Sequence, residues 1–450
     1  MSESDSKPNA PVRIAKYGFL TAISVVIANM VGTGVFTSLG FQLLEIQSGF
    51  VILMLWAAGG LTALCGAMSY AELGAALPRS GGEYSFLSRI YHPAAGFVSG
   101  WVSSTIGFAA PSALAAITFG AYATSVIANG AAYFWSQALA CLLVIVLTLV
   151  HAGRRNVSGN MQKIFTLIKV SVILAFCAAT IFLIGEPQAI SLMPESGDGH
   201  LLTSGAFAIS LIYVSFAYAG WNAATYLSGE IDNPQRNLPR ILGFGTLLVT
   251  VLYIALNAVF LKAAPIDAMK GQVEVGFIAA QAVFGDFGAD LTGLIMASLL
   301  ISTVSAMTIA GPRVLQMAGE DFAAFRRLAA VNKDGIPSTA IYFQSGLALL
   351  FIVTSSFESI LVFSGFTVAL NSFFTVIGVF VLRWREPNLP RPYRVFAFPV
   401  TPLIYLGLTG WTLLYVLIER PVEGLFGLGV IASGLVFYVI SKTQSGRAST

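Results

Sequence analysis

Two short segments set glycine and polar residues inside otherwise apolar stretches, and the chemistry they offer is that of exposed backbone. The run Asn29, Met30, Val31, Gly32, Thr33, Gly34, Val35, Phe36 puts two glycines around a threonine; Phe216, Ala217, Tyr218, Ala219, Gly220, Trp221, Asn222 repeats the theme further along. Glycine costs about 1 kcal/mol relative to alanine in a helix interior, so both segments are expected to interrupt helices. An interruption frees N–H groups at the start of the next half-helix, where the positive end of the dipole favours an anion such as a carboxylate. In the first segment these donors are expected near Thr33 and Gly34, beside Gly32, with the Thr33 hydroxyl as a supplement. Freed carbonyls near Met30, Phe216, Ala217 and Ala219 can accept from an ammonium group. N–H groups on one side and carbonyls on the other suit a zwitterion, the constant part of an amino acid. The alternative for Gly32 and Gly34 is close helix packing, which small residues permit in membrane bundles. Asn222, six residues past Phe216, serves either a ligand or an interhelical hydrogen bond.

The elements that must hold these segments lie in lipid. Of 450 residues, 56% are apolar and 10% charged, and the mean hydropathy is +0.80; soluble chains carry about a quarter charged residues. Backbone in hydrocarbon must satisfy itself, which leaves helices or closed barrels, and the apolar runs are of helix-crossing length. The fold class expected is an all-α integral membrane protein of twelve transmembrane helices. They fall at about 17–40, 50–76, 91–126, 131–151, 158–184, 203–228, 240–263, 288–317, 339–355, 358–382, 399–418 and 422–441, the ninth and tenth separated by Ser355 to Glu358. With the N-terminus inside, twenty of the 24 Lys and Arg residues fall on the cytoplasmic face, against Lys262, Lys270 and Arg420 outside. That asymmetry puts both termini in the cytoplasm, with residues 1–16 a disordered tail.

The remaining cation, Lys169, lies within the fifth span. A charge at that depth marks a functional site by default, while a position nearer the helix end lets it snorkel to the interface. Glu72 and Glu230 lie towards the cytoplasmic ends of spans two and six, where they either gate through Arg79, Arg236 or Arg240 or pair with arginines for topology alone. Glu45, Glu83 and Glu358 read as lying in or near loops, leaving no carboxylate deep in any span for a cationic side chain or polyamine. An acidic side chain would need a second deep cation. Neutral amino acids remain.

Other chemistry is not indicated. His92, His151 and His200 are scattered and Cys65, Cys141 and Cys177 lie far apart in apolar runs, so neither a metal nor a disulfide pattern forms. A hydrolase would need a nucleophile with a base in reach, and a channel a continuous polar pore. No basic arm suits nucleic acid, and no cofactor is expected.

The strings VGTGVF (31–36), SYAELGAALPRSGGEYSFL (69–87) and FAYAGWNAATYLSGEIDNPQRNLPR (216–240) resemble the amino acid-polyamine-organocation superfamily, most closely its bacterial L-type amino acid transporter-like branch. The resemblance covers essentially the whole chain. It implies the leucine-transporter fold, with inverted repeats over 17–185 and 186–382, two extra helices over 383–441 and a tail over 442–450. It implies a secondary transporter working by alternating access, in which Thr33 and Gly34 take the substrate carboxylate and Met30, Phe216 and Ala219 face its amino group. Phe216 also becomes an aromatic gate. The fifth-helix Lys169 then stands in for sodium between the first break and the eighth helix, where Ser302, Thr303 and Ser305 offer hydroxyls. Sodium-independent transport of neutral L-amino acids, by exchange or linked to protons, is the expectation, in a bacterial cell membrane. A cationic amino acid or polyamine carrier of the same fold and a non-transporting sensor are the alternatives. Animal relatives tether a heavy chain through a cysteine between spans three and four; around Val126 to Ala131 there is none, so no such subunit is expected.

Overall fold

The structure, a computed structural model, describes residues 17–127, 132–153, 159–321, 326–333 and 335–447; the tail at 1–16 and most of the loop around Val126 to Ala131 lie outside them. The first crossing is split into α1 (Phe19–Met30) and α2 (Gly34–Gln42), followed by α3 (Gly49–Ala76), the short α4 (Glu83–Ile90) and α5 (Pro93–Val102). A π-helical turn at Ser103–Gly107 joins α5 to α6 (Ala109–Ile127); α7 (Ala132–Gly153), α8 (Gly159–Leu183) and the one-turn α9 (Asp198–Leu202) come next. The sixth crossing is again split, into α10 (Gly205–Ala217) and a 3-10 helix at Ala223–Glu230. Then follow α11 (Pro234–Ala263), α12 (Ile266–Met269), α13 (Val275–Asp321), α14 (Ser338–Thr354), α15 (Phe357–Arg385), α16 (Val400–Glu419) and α17 (Pro421–Arg447).

Ten stretches among the described residues are long and apolar enough to cross a membrane, and two shorter apolar helices, α10 and α14, match the sixth and ninth expected crossings. The boundary at Ser355 and Ser356 is a true helix end, because Ser356 accepts the Ser359 N–H and caps α15. The eighth crossing is preceded by a further helix. A helix already runs from Val275, but the backbone is non-helical at Gly285 (φ 70°, ψ −171°), and the second helix that follows it starts close to the expected residue 288.

Side-chain distribution is inverted relative to a soluble protein. Leu167, Phe182, Phe244 and Leu350 face outward, while Thr37, Gln42, Ser69, Asn257 and Thr375 are buried. An apolar exterior is stable against lipid, and the buried hydroxyls mostly donate to a carbonyl four residues back, as Thr37 does to Thr33 and Ser69 to Cys65. The most extensive packing is of α3 along α11 and of α6 along α13; α11 also packs on α1, α3 on α10 and α13 on α2. The three cysteines are free.

Candidate functional site

The two breaks touch. A methyl built on Gly34 would lie 2.6 Å from the Ala217 Cβ and 3.1 Å from its N, so glycine is what lets the start of α2 reach the end of α10. At Gly220 (φ 102°) a Cβ would meet Asn29 at 2.8 Å. That φ is open to glycine and strained for other residues. Each break thus contributes a glycine at the point where the other passes. The Thr33 and Gly34 N–H groups head α2, whose first turn has no intrahelical acceptors for them.

A residue absent from the sequence expectations organises the carbonyls. The Tyr253 hydroxyl, from α11, donates to Met30 O at 2.5 Å and to Ala217 O at 3.1 Å, spanning both breaks. Met30 O also accepts the Gly32 N–H at 2.8 Å. A carbonyl has two lone pairs, so Met30 O is fully engaged and holds the break together; the expectation that it would face a ligand ammonium is corrected. Phe216 O accepts the Ala219 N–H at 2.9 Å and Ala217 O takes the Tyr253 hydroxyl, which leaves each a second lone pair. The signal in the sequence was a tyrosine in an apolar span, since a buried Tyr hydroxyl usually has a partner.

Lys169 is buried on α8. Its Nζ donates to Val31 O at 3.1 Å and to Thr303 Oγ1 at 3.0 Å, joining the first break to α13. Thr303 Oγ1 is free to accept because its own proton goes to Leu299 O. Of the other two hydroxyls, Ser302 lines the space beside Lys169, whereas Ser305 turns to His151 Nε2 at 2.8 Å and does not join the group.

A cavity of about 670 Å3 runs along the breaks, lined by Gly32, Thr33, Gly34, Phe216, Ala217, Ala219, Asn222 and Ser302, and it reaches Tyr17, Ser80 and Glu230. Its flank is the π turn between α5 and α6, an irregularity frequent at functional sites. At one end of it the Tyr17 N–H donates to Glu230 O at 2.7 Å, clasping the segment before α1 to the 3-10 helix.

Two carboxylates sit elsewhere than expected. Glu72 pairs with none of Arg79, Arg236 or Arg240: Arg383 holds it at 2.8 and 2.6 Å, the Val395 N–H at 2.7 Å and the Arg391 guanidinium at 3.7 Å. It faces α15 and the segment after it and ties them to α3. Glu83, read as near a loop, is buried and lines the cavity. The premise that the interior lacks a carboxylate is therefore overturned. Gly81 and Gly82 (φ 116° and 54°) turn the chain inward just before it, and the Asn222 amide donates to its Oε1 at 3.2 Å.

Comparison with known proteins adds identity to this geometry. A family model described as amino acid permease matches residues 17–434. The human large neutral amino acids transporter small subunit 2 is 29% identical over 97% of this chain and 83% of its own length. The mouse b(0,+)-type amino acid transporter 1 is 27% identical over 94% of this chain and 87% of its length. The family model spans nearly all of the described helices and both breaks, so the chain is an integral membrane transporter, not an enzyme, and belongs to the amino acid permease family.

Proposed function

We propose that this permease carries neutral L-amino acids by alternating access without sodium, by exchange or linked to protons. The observation that carries the reading is the contact of the two breaks at Gly34 and Ala217, which sets the N–H groups heading α2 against the carbonyls ending α10. The substrate carboxylate takes Thr33 and Gly34, its ammonium the remaining lone pairs of Phe216 and Ala217 and the Ala219 carbonyl, and the Phe216 ring closes over it. The Lys169 ammonium, between Val31 O and Thr303, supplies at the first break the positive charge a sodium ion would bring. The relatives' printed names, one for large neutral amino acids, support the substrate class.

The breaks fall five crossings apart, as two inverted repeats of five helices with two helices following would place them. The excess of Lys and Arg in the loops on one side supports cytoplasmic termini, and the sequence resemblance is our ground for reading the membrane as a bacterial cell membrane. The human relative is named a small subunit; this chain has no cysteine between spans three and four, and we read it as working without a tethered heavy chain. Uptake of a labelled amino acid panel into proteoliposomes tests the whole reading. Uptake of neutral amino acids without sodium supports it, with stimulation by internal substrate marking exchange and by a proton gradient marking symport. A strict sodium requirement defeats the role of Lys169. Preferential uptake of arginine or a polyamine, or binding without flux, establishes the corresponding alternative.

A further inference from the structure

Glu83 is a buried acidic side chain that the two breaks do not use. It opens α4 with 3% of its surface exposed and lines the same cavity. Its Oε1 accepts the Tyr70 hydroxyl of α3 at 2.5 Å, the Ser372 hydroxyl of α15 at 2.7 Å and the Asn222 amide at 3.2 Å; its Oε2 accepts the Asn371 amide. All of these donors are neutral, and no Lys, Arg or His pairs with it among the described residues. An ionised carboxylate offers about four lone-pair sites. Oε1, with two lone pairs, is therefore saturated by three donors while Oε2 takes one, and none of the donors carries a positive charge.

These two properties act on different ligands. An acidic side chain in the cavity meets a like charge, and unit charges about 8 Å apart at an effective dielectric of about 20 repel enough to lower affinity on the order of 30-fold. A basic side chain is attracted, but to bond the crowded Oε1 it must displace a donor and leave that donor buried and unpaired. A neutral side chain meets neither effect. We propose that Glu83 is a specificity-determining residue that excludes acidic amino acids from this site, while Tyr70, Asn222 and Ser372 mask its Oε1 from basic ones. The proposal rests on the amino acid reading of the cavity and replaces the missing-carboxylate premise with a masked-carboxylate one.

The test is competition against labelled leucine uptake in proteoliposomes by glutamate and glutamine, a pair differing by the charge, and by lysine and norleucine. In the wild type glutamate is expected to compete at least about 30-fold less well than glutamine. E83Q is expected to shrink that ratio by on the order of 30-fold, and E83D, which keeps the charge, to preserve most of it. S372A removes a masking donor, and lysine is expected to gain several-fold on norleucine. A glutamate to glutamine ratio in E83Q equal to that of the wild type overturns the proposal. Should E83Q not yield folded protein, S372A decides, and an unchanged lysine to norleucine ratio there overturns it. Wild-type protein that takes up no amino acid defeats the reading of the cavity itself, an outcome distinct from normal uptake with unchanged ratios.

Discussion

Adding one methyl at Gly34 and one at Gly32 separates a site built on touching breaks from a helix that merely contains glycines. At Gly34 the new carbon would lie 2.6 Å from the Ala217 Cβ and 3.1 Å from its backbone N. Ordinary carbon contacts lie at about 3.5–4.0 Å, so the two breaks must part by roughly 1 Å. The neighbour is backbone at the end of α10 and cannot swing away as a flexible side chain would. Overpacking of this kind costs about 1–3 kcal/mol, and if it falls on the bound state it weakens substrate by roughly 5- to 150-fold. At Gly32, two residues away, the nearest atoms to a new methyl are Met30 O at 3.9 Å and Thr303 Cγ2 at 4.0 Å, an ordinary van der Waals contact that asks nothing to move. Gly32→Ala is therefore expected to transport within a few-fold of wild type and Gly34→Ala to lose apparent affinity by about tenfold or more. Labelled leucine uptake in proteoliposomes, with thermal melting to show that both variants are folded, reads the difference. Equal affinities in the two variants would refute the claim that contact of the breaks builds the site.

Tyr253→Phe deletes one hydroxyl shared by Met30 O and Ala217 O; with about 1–2 kcal/mol at stake, substrate affinity should fall roughly 5- to 30-fold, and saturation uptake measures it. Lys169→Ala takes an ammonium from Val31 O and Thr303, and because hydrogen bonds to charged groups contribute about 1.5–3 kcal/mol, a loss of roughly tenfold or more is expected; unchanged transport would return Lys169 to a snorkelling role. Ser305→Ala should leave substrate affinity within about twofold while Thr303→Val lowers it, because Lys169 bonds Thr303 and Ser305 bonds His151. Arg383→Ala leaves the Glu72 carboxylate with the Val395 N–H and a more distant Arg391, and removing one partner of a buried pair costs about 3–5 kcal/mol; a lowered melting temperature with near-normal affinity in the folded fraction is the expected result.

The crossings and the breaks were legible because they depend on local features. Length and hydropathy alone mark a helix that must satisfy its backbone in lipid, and Gly32, Gly34 and Gly220 mark places where it stops. Partners were not legible. Tyr253 meets Met30 across 223 residues of chain and Arg383 meets Glu72 across 311. No local pattern encodes which face of α3 packs on α15, so the arginines nearest in sequence looked like the partners of Glu72. Glu83 was misread because S-G-G-E has the composition of a surface turn, and only the sense of that turn carries the carboxylate inside. Spacing also failed at Ser305, which is on the Lys169 helix pair but one face away.

The two interior charges explain why so few others are needed. Lys169 is bound to Val31 O at the first break and Glu83 to Asn222 just past the second. Each is solvated by neutral groups, and neither pairs with an acid or base among the described residues. Had they paired with each other, each would have cancelled the other's field, and the cavity would have kept only backbone dipoles. Held apart, they bias the two breaks with opposite sign. The positive charge reinforces the N–H groups heading α2, proposed to take the carboxylate, and the negative charge lies beyond the carbonyls proposed to take the ammonium. A molecule with both groups on one carbon and no further charge is stabilised at both ends, whereas a third charge of either sign meets Glu83 as repulsion or as a masked acceptor. On the proposed reading, a preference for neutral amino acids comes from the separation of two buried charges, not from their absence.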